Sequence, residues 1–422
     1  MVDESGALSA RISRRAVFAL AGAAAFSVAL ASCAPDPDDG APDYAPELNR
    51  LLSSTDRGGR VELPAGTKVI RSTVRLRPGV ELAGHADGST LKLADRTDAP
   101  FVLANAVDDI KVTGVTFDGG VQSTQGVSLQ VDSCSGVTIS GCTFVRMKHA
   151  IRVYAESGRA ASDIVIDSNS FDDIVDFAIR IESGARKVKI TSNTVDKVSK
   201  GGAPSPSAIY IRGQGVVVQG NTVKSSYDTG VMVSGEDAKD VTIEKNILST
   251  NMVGIYFGSG ARTGTVTGNT ITSKTDFGIH LHDRRGGVVD VEVTENVIGP
   301  TGKTGVEIEG VQRVSLRDNK ISDVAQRQGS PDYWRCGVAI SKLQSHAAQS
   351  VIVEGNSISG EPAQMVYGIL VTDNTENIIV QDNQVEGARA SSYQVESGDG
   401  GPYLVERADG SIVARKGVTR RW

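Results

Sequence analysis

Nine asparagines recur at one position of a repeated unit, and that repeat limits the possible folds more than any other feature of the chain. They stand in "DSNSF" (Asn169), "TSNTV" (Asn193), "QGNTV" (Asn221), "EKNIL" (Asn246), "TGNTI" (Asn269), "TENVI" (Asn296), "RDNKI" (Asn319), "EGNSI" (Asn356) and "QDNQV" (Asn383). Their spacings are 24, 28, 25, 23, 27, 23, 37 and 27 residues. Before each lies a short alternating stretch such as "DIVI", "VTIE" or "VEVT"; after each comes a turn and a second one, "AIRI", "AIYI", "GVMV", "GIYF", "GIHL", "GVEI", "GVAI" or "GILV". One such unit cannot bury its apolar face alone, whereas stacked units can. The repeat therefore predicts an all-β chain: a single-stranded parallel β-helix, a solenoid of about 11–12 coils with two or three short strands in each. The asparagines fall on one corner, pointing inward, with their amides bonding along the ladder and to turn backbone. Cys142 in "SGCTF" takes the same corner one coil earlier. An aromatic content of only 5% and 47 glycines suit thin coils with tight corners.

The chain divides around that solenoid. "SRR" at 13–15 precedes an apolar run from Ala16 to Ala31, and "LASC" ends at Cys33. This pattern reads as a twin-arginine-type export signal with a lipoprotein box. The run is too short for a spanning helix of ~20 residues. Expected, then, are a signal peptide over 1–32, a lipidated Cys33 and a tether over 33–45, an amphipathic N-terminal cap over 46–60 ("ELNRLLSS"), the β-helix over 61–392 and a C-terminal cap or tail over 393–422. The mature protein would sit on the outer face of the cell membrane, touching it through lipid only, as a monomer. Residues 1–32 carry two acidic and three basic side chains, so their removal takes the net charge from −6 to −7. An acidic chain of this kind argues against nucleic acid as a partner. Cys134, Cys142 and Cys336 make no CxxC pair and read as small buried side chains, with a Cys134–Cys142 bridge left open.

Function has to come from the outward face, because side chains alternate in and out along each second strand. Two outward columns follow. One runs Ser128, Arg152, Arg180, Tyr210, Met232, Tyr256, His280, Glu307, Ala339, Leu370; the other Gln130, Tyr154, Glu182, Arg212, Ser234, Gly258, His282, Glu309, Ser341, Thr372. With coils ~4.8 Å apart, His280 lies between Tyr256 and Glu307, and His282 between Gly258 and Glu309. Both histidines are expected to face solvent together. The long unit holding "DVAQRQGSPDYWRCG" (323–337) and the stretch "SKGGAPSPSA" (199–208) are expected to wall the face. A band of Arg, Tyr, His and Glu offers donors to carboxylates and flat rings to sugars. It reads as a groove for an extended, acidic polysaccharide, with Arg152, Tyr154, Arg180, Tyr210, Arg212, Arg284, Tyr333 and Trp334 as substrate-binding residues.

Two stretches resemble known families. "GGRVELPAGTKVIRSTVRLRPGVELAGHADGSTLKL" (58–93) resembles the opening coils of pectate-lyase-like and polygalacturonase-like proteins, which implies a right-handed helix. "FGIHLHDRR", followed by "TENVIGPTGKTGVEIEGV", resembles the mannuronan C5-epimerases, whose motif Y-G-I/F-D-P-H-D/E matches here at Phe277, Gly278, Ile279, His282 and Asp283. The resemblance implies His282 as the base that abstracts the C5 proton of a uronate. The sequence departs at His280 and Leu281, which stand where the motif has Asp and Pro, and near Glu309–Gly310, where the family has an arginine. The catalytic candidates are His282, His280, Tyr256, Asp283, Glu307 and Glu309, for lyase or uronate C5-epimerase chemistry. Proton abstraction beside a carboxylate needs a base near ambient pH and a cation on the carboxylate; neighbouring glutamates would raise the histidine pKa values. The alternatives are a glycoside hydrolase using Glu307 and Glu309 as its carboxylate pair, or a non-catalytic glycan-binding or structural solenoid. No cofactor is firmly implied; His280, His282 and Glu307 offer a divalent metal a ligand set.

Overall fold

The computed structural model of the protein describes residues 40–94, 101–120, 127–156, 158–372, 374–396 and 403–416. The expected export signal and Cys33 lie outside the described residues. Within them the chain winds into an all-parallel β-solenoid of about 12 turns. Each full turn has three short strands. In one turn these are Lys239–Glu244, Ile247–Thr250 and Val253–Gly258; in the next, Arg262–Thr267, Thr270–Ser273 and Ile279–His282. Each strand pairs in parallel with its counterpart one coil on. Thr143–Tyr154 and Ser170–Ile181 each run through the second and third faces as one 12-residue strand.

The asparagines line the corner between the first and second faces, fully inside. The Asn246 amide donates to Val218 O at 3.0 Å and to Asn269 Oδ1 at 2.9 Å. Its own Oδ1 accepts from the backbone N–H and the Nδ2 of Asn221, at 2.9 and 3.0 Å. The pattern repeats from Asn169 to Asn383, and Asn169 Oδ1 accepts the Cys142 N–H at 2.9 Å one coil earlier. The residue before each asparagine takes the left-handed conformation that turns the corner, as at Ser192 (φ 55°), Lys245 (φ 54°), Gly268 (φ 64°) and Asp318 (φ 55°). The core beside the ladder is aliphatic, with Phe117, Phe144 and Phe171 stacked 5.0 and 5.1 Å apart. Cys134, Cys142 and Cys336 are buried and free, so no Cys134–Cys142 bridge forms.

The helix Ala45–Ser54 buries Ala45, Leu48 and Leu52 in the core at the first coils, a spacing that puts all three on one face. At the other end the parallel ladder does not stop at residue 392, where the sequence placed it. Ser391–Val395 pairs with Tyr367–Val371, Tyr403–Arg407 adds a further parallel strand, and Ile412–Lys416 folds back antiparallel on that one. Among the described residues no helix is long and apolar enough to cross a membrane.

Candidate functional site

The third face carries the outward columns. Register places Arg152, Arg180, Tyr210, Met232, Tyr256, His280, Glu307, Ala339 and Leu370 in one line, and Ser234, Gly258, His282, Glu309 and Ser341 in another. The first coil differs from the sequence reading. Gln130, not Ser128, pairs with Arg152, and Asp132 pairs with Tyr154.

A third outward column was missed. It carries His149, Phe177, Ser207, Thr229 and Val253, and Phe277 holds the same place. The reason is local. A small residue (Ala150, Ala178, Gly254, Gly278) and the aliphatic after it both point inward, which breaks strict alternation. A Cβ on Gly278 would lie 2.3 Å from the Ile298 side chain and 2.7 Å from Gly305 O. The small residue before each inward aliphatic is the signal that reveals this column.

His280 and His282 share the outer face, as expected, but they are not free in solvent: their side chains are 12% and 16% exposed. Both bind one oxygen of Glu309. His280 Nε2 lies 3.0 Å and His282 Nδ1 2.7 Å from Glu309 Oε2. Burial alone would raise the Glu309 carboxyl, but these two bonds outweigh it and hold the pKa at about 2. An ionised carboxylate only accepts, so both facing ring nitrogens carry the proton; in the neutral rings His280 Nδ1 and His282 Nε2 are then the acceptors. Burial lowers the His280 pKa and overcomes the opposing pull of Glu309, contrary to the rise expected from the glutamates. Tyr256 meets His280 edge-on at 5.6 Å and tilts against His282 at 6.2 Å. Its ring lies across Gly258, where a Cβ would sit 2.2 Å from the hydroxyl. Burial and the nearby Asp283 push its phenol up to about 12. Tyr256, His282, Arg284 and Arg285 line a cavity of about 380 Å³.

Other expected residues take different places. Asp283 is buried and organises a turn: it accepts the backbone N–H groups of Arg285, Gly287, Val288 and Gly260 at 2.6–3.1 Å. Its carboxylate thus holds the turn that carries Arg284 and Arg285 at the edge of that cavity. Glu307 keeps its register beside His280 but is only 3% exposed, and its Oε2 has no hydrogen-bond partner among the described residues. Burial and the Glu309 charge raise its carboxyl well above the usual range. Among the described residues the side chains that could together hold a metal are therefore His280, His282 and Glu309, with ligand atoms within 4.8 Å of one another, and not the set with Glu307. Trp334 is taken up by the wall, with Lys303 Nζ 3.9 Å above its ring and Phe277 edge-on at 6.3 Å; Tyr333 stays 51% exposed. Arg152 and Arg180 both pair with Glu182 Oε1, at 3.2 and 2.6 Å. Tyr154 is buried under the Arg152 guanidinium, 4.8 Å from its ring. Arg212 lies alongside Gly235.

The fold is shared with proteins from several sources. It is similar to the A-module of an Azotobacter vinelandii mannuronan C-5 epimerase (TM-score 0.61, 16% identity, 86% of this chain and 95% of that one). A mutant tailspike of the E. coli bacteriophage HK620, in complex with a pentasaccharide, aligns with a TM-score of 0.56 at 13% identity over 86% of this chain and 77% of that one. The Streptococcus pneumoniae surface protein and adhesin PfbA aligns with a TM-score of 0.52 at 16% identity, over 85% and 97%. At such identities the likeness is one of fold. No curated protein matches the sequence. Residues 97–205 and 190–345 match the right-handed β-helix region, which covers more than half of the chain, and the protein belongs to that family.

Proposed function

We propose that the protein acts on an acidic polysaccharide by removing the proton beside a uronate carboxylate, as a lyase or a C5-epimerase. The observation that carries this reading is the double anchorage of His280 and His282 on Glu309 beside a cation-lined cavity. Glu309 sets the tautomer, so His282 presents an unprotonated Nε2 to the cavity that it shares with Tyr256. The same cavity is lined by the exposed Arg284 and Arg285, placed to neutralise the carboxylate as negative charge builds on it. His282 Nε2 takes the C5 proton, and the electron pair spreads into the carboxylate. The Tyr256 phenol, protonated at any working pH, then has two uses. It protonates the departing O4, leaving a 4,5-unsaturated end, or it returns a proton to C5 from the opposite face. The pentasaccharide in the tailspike complex and the epimerase activity named for the A-module are consistent with a carbohydrate substrate.

The hydrolase alternative loses support from the same geometry. Glu309 is ionised and held by two histidines, and Glu307 is enclosed, so neither is free to serve a water or a leaving group. A metal reading keeps one specific observation, the three-ligand cluster His280, His282 and Glu309.

The test is to incubate lipid-free protein with polymannuronate, polyguluronate and polygalacturonate in deuterated water. Absorbance of unsaturated ends and deuterium at C5 are followed, with His282→Ala alongside. Turnover on one of these, lost in the variant with no metal in the purified wild type, is expected. Stoichiometric zinc or copper that the variant releases would favour the metal reading. Turnover that survives the substitution would place the chemistry elsewhere.

A further inference from the structure

A second cavity, of about 410 Å³, opens on the same face nearer the N-terminus, with Lys148, His149, Phe177, Arg180 and Tyr210 in its lining. Its floor is a ladder of rings on three successive coils. His149 stacks on Phe177 at 5.4 Å and 17°, and Phe177 meets Tyr210 at 5.3 Å. The Arg180 guanidinium lies 5.0 and 5.4 Å from the Phe177 and Tyr210 ring centres. Its wall is the 199–208 stretch, and it is built rather than draped. Asp176 Oδ1 accepts the Ala203 N–H at 3.1 Å, and it lies 1.9 Å from where a Cβ on Gly201 would sit, so only glycine fits there.

Of the charged groups in its lining two are cations, Lys148 and Arg180, and one is an anion, Asp176; Lys148 lies 4.0 Å from Asp176, and Arg180 shares Glu182 with Arg152. Burial and the neighbouring cations, Arg180 first, lower the His149 pKa to about 3, so its ring is a neutral platform. Aromatic faces with guanidinium and ammonium donors are what a sugar ring bearing a carboxylate needs.

Topology then gives the two cavities one occupant. Beyond Glu307 the outward line turns apolar: Ala339 and Leu370 are 2% and 1% exposed and cluster with Cys336, and the Asp332–Trp334 turn packs on their strands. Along the line of His280 a bound chain can therefore extend only toward the N-terminal coils. Arg180 is four register steps from His280 along the same line, about 19 Å at the usual strand spacing. A pyranose in an extended glycan advances by roughly one coil.

We propose that this cavity is a second sugar subsite that takes one uronic-acid residue on the His149–Phe177–Tyr210 platform, while the reacting residue of the same chain sits at His282. The substrate class rests on the proposed function; the subsite itself rests on the rings, the cations and the closed end of the groove.

The test compares binding of hexamers and dimers of mannuronate, guluronate and galacturonate by calorimetry, in wild type, in Lys148→Ala/Tyr210→Ala and in Lys148→Gln. Both side chains point outward, and thermal melting checks that each variant is folded. Wild type should prefer the hexamer of one of these sugars. The ratio of hexamer to dimer affinity should fall at least tenfold in the double variant and less in Lys148→Gln. A wild-type ratio near one, or a ratio unchanged in folded variants, overturns the subsite. Loss of the hexamer preference together with turnover that survives His282→Ala would uphold the subsite and overturn only the catalytic reading.

Discussion

Glu307 and Glu309 are the same residue type two positions apart on one strand, and the protein holds them in opposite states. Glu309 gains two imidazole donors and is pulled down to about 2; Glu307 gains burial and a neighbouring charge and is pushed well above 4.5. The consequences for stability have opposite signs. The depressed Glu309 contributes stability that is present above its unfolded value near 4.5 and is lost as pH falls through about 2. The raised Glu307 contributes below 4.5 and loses that contribution as pH rises through its folded value. Glu307→Gln should therefore melt higher than wild type at neutral pH, with a margin that grows as pH increases, and it should keep its turnover. Glu309→Ala should lower kcat by roughly a hundredfold, the usual cost of losing an oriented general base, with a smaller change in KM. Equal loss of activity in the two variants would restore the paired-carboxylate reading. The pairing of these glutamates with the histidines was legible in the sequence, because strand period and coil period fix it. The burial of Glu307 was not, because strand alternation gives a side chain's direction and not what covers it. The turn that Asp283 holds was hidden for a related reason: its four backbone donors come from the loop after it and from the coil before it.

At the scale of the element, the asparagine corner shows how a repeat specifies a fold. From Asn169 to Asn356 each amide donates to the next asparagine's Oδ1 and to a backbone carbonyl one coil back, while the preceding residue turns in the left-handed region. Serine, glycine, lysine, glutamate and aspartate all stand at that preceding position, so the corner is imposed by the asparagine and not by its neighbour. Asn246→Leu would leave the Asn221 N–H without its acceptor in a dry interior, and would take one partner each from Asn221 Nδ2, the Val218 carbonyl and Asn269 Oδ1, which keeps the backbone N–H of residue 246. The cost should be at least ~2 kcal/mol, read as a lower denaturant midpoint by circular dichroism. An unchanged midpoint would mean that the ladder is decoration. The nine-fold recurrence made this element fully legible. The third outward column was hidden by the paired inward residues at each corner, and with it His149 and Phe177, in the floor of one cavity, and Phe277, whose ring packs on His280 at 4.5 Å.

At the scale of the whole molecule, a solenoid buries only what neighbouring coils share, so its two ends and its one functional face need separate devices. The ends have them: the helix Ala45–Ser54 at the first coils, and the antiparallel return of Ile412–Lys416 at the last. The outward line of His280 is covered beyond Glu307, at Ala339 and Leu370, and partly exposed toward Arg152. Where this machine works depends on a segment outside the described residues. "LASC" behind "SRR" and an apolar run of Ala16–Ala31 motivates the proposal that Cys33 carries lipid and holds the protein at the outer membrane surface. A run of that length is short for a span of ~20 residues, while two acyl chains anchor far more firmly than one. The stretch "APDPDDG" after Cys33 (34–40) has Pro and Asp in place of groups to bury, so retention must come from the thiol and not from that stretch. Cys33→Ser should then move the protein from the membrane pellet to the soluble fraction after cell fractionation, while a Ser53→Ala control stays in the pellet. Equal retention of Cys33→Ser and wild type would show that the apolar run, not a lipid, holds the chain.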